Sequence, residues 1–92
     1  MYHTIWVCAS KEAADNRQKI FGRNAHVLVI KVGDTVGGIR ANEIIVDDIY
    51  ADAGDSKTMY QHISRWFDDS VRCRLVPKGT VKCLTGPLPW KL

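Results

Sequence analysis

The sequence predicts an α+β domain: a four-stranded antiparallel sheet with two helices on one of its faces. Three observations lead there. Two segments carry apolar residues at helical spacing, and four carry the β-branched and aromatic residues of strands. The second and third strands are joined only by the short, turn-rich Gly33 to Gly38. A parallel pair normally needs a crossover of a dozen or more residues, so a hairpin is the simpler expectation. The order βαββαβ within 92 residues is the split βαβ, ferredoxin-like arrangement. It would leave the second sheet face open.

Each element follows from its residues. His3 to Ala9 alternates Ile5, Val7 and Ala9 with Thr4, Trp6 and Cys8, as a strand does. Ser10 is a suitable N-cap for a helix carrying Arg17, Ile20 and Phe21, with Gly22 as its stop signal. His26 to Val32 and Asn42 to Ile49 read as the next two strands. After the polar loop Ala51 to Asp55, either Asp55 or Ser56 can cap a second helix. Its stripe Met59, Ile63, Trp66, Phe67 and Ser70 or Val71 is the most regular in the chain. Pro77 and Gly79 end that unit, Thr80 to Leu84 forms the last strand, and Gly86-Pro87-Leu88-Pro89 cannot prolong it. The expectation is one domain over 1–86 and a C-terminal arm over 87–92.

Composition bounds the function. Apolar residues at 46% and charged residues at 25% are ordinary globular values, so the chain should fold as one core. Cys8, Cys73 and Cys83 are odd in number and widely spaced, which argues for free thiols in a reducing, cytoplasmic setting. No C-x-x-C or H-x-x-x-H pair suggests zinc, and no apolar run is long enough to span a bilayer. Net charge is only +3, yet acids crowd Glu43 to Asp69 whereas Ser70 to Leu92 is basic throughout. Asp47, Asp48, Asp52 and Asp55 are the acidic candidates for partner binding, and Arg72, Arg74, Lys78 and Lys82 the basic ones. Trp90, beyond the prolines, is a candidate anchor. The four aspartates do not match the spacing of a calcium loop, so neither a metal nor another cofactor is expected.

The segment Gly38-Ile39-Arg40-Ala41-Asn42-Glu43-Ile44-Ile45-Val46-Asp47-Asp48 is an apolar strand ending in two carboxylates. Together with Trp66-Phe67 and Arg74-Leu75-Val76-Pro77-Lys78-Gly79-Thr80-Val81 through Thr85-Gly86, it resembles the ATPase core of bacteriophage large terminases. Asn42 stands where an acid is usual. The resemblance implies an alternative architecture, an α/β fragment of a P-loop ATPase core. It also implies a metal-binding role for Asp47 and a catalytic-carboxylate role for Asp48. The 92 residues contain no Gly-rich loop with Lys and Ser/Thr to grip a nucleotide's phosphates, so hydrolysis by this chain alone is not expected.

Two functional expectations result. The first is a non-catalytic, phage-encoded interaction protein that inhibits or modulates a host nucleic-acid-handling complex, as anti-CRISPR proteins do. Its partner would be a host protein or ribonucleoprotein, with possible direct contact to nucleic acid. The second is a nucleic-acid-binding module or a truncated DNA-packaging ATPase.

Overall fold

The structure is a computed structural model that describes residues 3–23 and 26–85. In chain order the elements are β1 (Thr4–Cys8), α1 (Lys11–Phe21), β2 (Val27–Lys31), β3 (Ala41–Asp47), α2 (Lys57–Trp66) and β4 (Leu75–Thr85). The strands form one sheet in the order β2-β1-β3-β4, and every neighbouring pair is parallel. Thr4 lies opposite Val27 on one side and Glu43 on the other. The antiparallel, ferredoxin-like expectation is therefore wrong, as is the β2–β3 hairpin at its centre.

The reason is a short crossover without a helix. Residues 32–40 leave the carboxyl end of β2, pass β1 and enter β3 at its amino end. Five strand residues are about 17 Å long and two strand spacings add about 10 Å sideways. Nine extended residues reach roughly 30 Å, which is enough. The segment is fixed along its course. Val32 N–H donates to Cys8 O (2.9 Å) and Trp66 Nε1 to Asp34 O (3.0 Å). Val36 is buried in the core, and Asn42 and Glu43 N–H both donate to His3 O at 3.0 Å.

The helices lie on opposite faces, a second correction. Ile5, Val7, Ile44 and Val46 point to the side where Ile63, Phe67 and Val71 complete the main core. Thr4, Trp6 and Cys8 alternate to the other side, where Trp6 meets Phe21 of α1 edge-to-face at 5.1 Å. The connection through α1 moves outward from β1 to β2, and the one through α2 moves outward from β3 to β4 in the opposite direction. With crossovers of one hand, opposite directions place the helices on opposite faces. The sheet is thus wound both ways from its centre, with the reversal between β1 and β3.

α2 begins at Ser56, whose Oγ accepts from Met59 N–H (3.2 Å), so Ser56 and not Asp55 is the cap. The helix does not stop at Trp66. It widens into a π-helical turn over Phe67–Val71 and tightens into a 3₁₀ turn over Arg72–Arg74. Phe67 and Val71 stay fully buried across this change, while Met59, expected on the apolar stripe, is 43% exposed. β4 is longer than expected because Pro77 lies inside it. As an edge strand it tolerates the missing N–H. The pairing jumps from Ala41↔Leu75 to Glu43↔Thr80, a bulge in which Lys78 has φ +69°. Gly79 closes the bulge against β3: a Cβ there would lie 2.8 Å from Asn42 O and 2.6 Å from Leu75 Cδ1.

Candidate functional site at the carboxyl end of the sheet

In open sheets wound both ways, ligands bind outside the carboxyl ends of the strands where the winding reverses. Here that place lies between the ends of β1 and β3. β1 delivers Cys8 and, one residue beyond Ala9, Ser10, whose Oγ accepts from Ala13 N–H and starts α1. β3 delivers Asp47 as its last residue, opposite Cys8, with Asp48 immediately after it.

Asp47 lies on the α1 side, where its Oδ2 accepts from Trp6 Nε1 at 3.0 Å and from Arg17 Nη2 at 3.1 Å. The Arg17 guanidinium stands 4.8 Å over the Trp6 ring. A cation on an indole face is attracted by the ring's negative π-cloud. Arg17 and Phe21, one helical turn apart, therefore hold the same indole from two directions. The Asp47 side chain is 18% exposed and that of Arg17 31%, so the pair is only partly screened by solvent.

Asp48 has φ +50°, a conformation that costs a non-glycine residue energy. It turns the chain sharply into a compact loop in which Ala51 N–H returns to Asp48 O at 3.1 Å. Ile49, Tyr50 and Ala53 bury themselves there. Tyr50 stacks on Tyr60 at 4.7 Å between centroids, and its hydroxyl shares a hydrogen bond with Ser64 (2.6 Å). Burial pushes the Tyr50 hydroxyl pKa upward. Asp52 and Asp55 are exposed on this loop. Among the described residues no three His, Cys, Asp or Glu side chains are arranged to hold a metal.

Mg²⁺ is commonly held by one or two carboxylates, the remaining positions being filled by water and by substrate phosphates. A partly exposed Asp47 at the reversal point fits a cation arriving with a nucleotide and does not fit a caged ion. Cys8 offers no nucleophile. Burial, reinforced by Asp47, raises its pKa to about 11, so at neutral pH it is a packed thiol. Cys83 is also raised, first by burial and then by Asp48.

The basic candidates divide. The 3₁₀ turn places Arg72 and Arg74 at the amino end of β4, and Lys78 follows in the bulge. Arg40 joins them by donating to Cys73 O at 3.3 Å. Arg72 pairs with Asp68 (3.4 Å), and Arg74 Nε is buried without a hydrogen-bond partner. Lys82 lies farther along β4 and pairs with Glu43 at 3.2 Å, so it does not belong to that cluster. Asp47 and Asp48 thus lie at the opposite end of the strands from Arg72, Arg74 and Lys78. Trp90 lies outside the described residues.

Arg17 and Trp6 were missed as site residues because each was read only as part of an element, Arg17 at helical spacing with Ile20 and Phe21 and Trp6 in the alternation of the first strand. The available signal was the i, i+4 spacing of Arg17 and Phe21 opposite an aromatic strand residue. Comparison with protein-family models, curated proteins and solved structures gives no match. No helix among the described residues is long and apolar enough to cross a membrane.

Proposed function

We propose that the chain is the acid-bearing half of a nucleotide-binding core of the DNA-packaging ATPase type. On this reading it does not hydrolyse nucleotide alone. It docks against a polypeptide segment, outside these 92 residues, that brings the phosphate-binding loop. The observation that carries the reading is the register that sets Asp47 and Asp48 at the carboxyl end of central strand β3, beside β1, where the winding reverses. The terminase-like strand supplies the same two residues by sequence. Asp47 would hold the cation, which offsets phosphate charge in such reactions, and Asp48 would orient the attacking water. The test is complementation with a purified strand–G-x-x-x-x-G-K-[ST]–helix unit from a large terminase. Mg²⁺-dependent ATP turnover should need both polypeptides and vanish with Asp47→Asn. A mixture that neither associates nor turns over ATP would refute the assignment.

A second reading has its own support. An interaction protein of phage origin, inhibiting a host nucleic-acid-handling complex, would use the basic end formed by Arg40, Arg72, Arg74 and Lys78. The fold narrows one part of that expectation: a helix packs on each sheet face, and what stays exposed on the α1 side is the β4 edge with Thr80, Lys82 and Leu84. Binding of DNA oligonucleotides at two salt concentrations checks it. Contacts with phosphate should weaken steeply with salt and be lost on reversing Arg72, Arg74 and Lys78. Binding unaffected by either change would eliminate the electrostatic mechanism.

A further inference from the structure

We infer that Arg17 is a latch on Asp47: it ion-pairs with the carboxylate that an incoming cation would need, so cation binding and the docking of α1 compete. The inference rests on the nucleotide-site reading and adds to it a residue and a coupling. Arg17 and Trp6 converge on the same oxygen, Asp47 Oδ2. A divalent ion drawing on that oxygen must displace or weaken both donors. α1 is lightly buried. It buries no residue completely, Ile20 is 71% exposed, and besides packing along β2 it holds Trp6 of β1 through Arg17 and Phe21.

The two effects are thermodynamically linked. Whatever factor Arg17 takes from cation affinity, the cation must take from α1 docking. A guanidinium beside a partly buried carboxylate repels a second cation at the same oxygen, and at such distances the interaction is worth tenfold or more. Arg17 therefore raises the cation concentration needed to occupy Asp47, least for a cation that brings additional ligands, such as one carried on nucleotide phosphates. Trp6 is the natural reporter, since its indole N–H bonds to the contested oxygen.

Mn²⁺ alone is the probe, titrated into the full chain while the Trp6 indole N–H signal is followed by NMR and assigned through Trp6→Phe. Arg17→Gln should strengthen the Mn²⁺-dependent loss of that signal at least about tenfold, and Asp47→Asn should abolish it. Arg17→Lys, which keeps the charge and loses the planar fork, should give a smaller gain. In the unaltered chain, saturating Mn²⁺ should speed hydrogen exchange of α1 amides and leave those of α2 unchanged. This reading does not depend on how well any variant folds. Equal Mn²⁺ affinity with and without Arg17, still dependent on Asp47, together with unchanged α1 exchange, would overturn the latch and leave the cation site standing. No Asp47-dependent effect in any form would overturn both.

Discussion

The two faces of the sheet are held by different physics. On the α2 side the contact is dry: Phe67 and Val71 are fully buried and Ile63 nearly so, against Ile5, Val7, Ile44 and Val46. On the α1 side the helix packs along β2 and adds an indole, a guanidinium and a carboxylate to the contact, and α1 itself buries no residue completely. Apolar burial contributes about 25 cal/mol per Å² and involves no charge for a cation to compete with. A partly exposed ion pair contributes less and responds to salt and to competing charges. Stability therefore concentrates on one face, which leaves the other free to respond to a ligand.

The largest effect that tests this asymmetry is Phe67→Ala. Phe67 sits in the π-helical turn and closes the core, and removing such a side chain typically costs 3–5 kcal/mol, about 4 as a central figure. Denaturant unfolding should show this as a lowered midpoint, with a loss several times that of Phe21→Ala on the α1 side. Comparable losses at the two positions would mean that α1 is as firmly built in as α2, and the contrast would fail.

How much of this was legible follows from particular residues. The segments themselves were readable: Ser10 caps α1 as expected, Ser56 is the one of two candidates that caps α2, and of the expected stripe Ile63, Phe67 and Val71 are buried. Strand direction was not readable, because it depended on whether residues 32–40 fold back as a turn or run across the sheet. Gly33, Gly37 and Gly38 favour a turn locally. Burial of Val36 and the Trp66–Asp34 hydrogen bond, both long-range, decide otherwise. Asp47 and Asp48 were recognisable as a carboxylate pair ending a strand. Their place at a reversal of winding could emerge only from the parallel register, and Arg17's part in the site only from the packing of α1.

The smallest effect sharpens the same contrast. Both helices start with a serine whose Oγ accepts from the N–H three residues on, at 3.2 Å in each case. Replacing a capping serine by alanine usually costs about 1 kcal/mol, and the two caps are locally equivalent. Their consequences should differ, because α2 is held by fully buried core residues whereas α1, packed on β2 without burying any residue completely, leans more on its cap, Phe21 and the Arg17–Asp47 pair. Ser10→Ala should therefore accelerate hydrogen exchange throughout α1 by local opening with little change in the global midpoint. Ser56→Ala should lower the midpoint by roughly its full 1 kcal/mol, since α2 opens only when the core does. Local opening in both variants, or in neither, would show that the two helices belong to one cooperative unit, and a cation that loosens α1 would then have to loosen the whole domain.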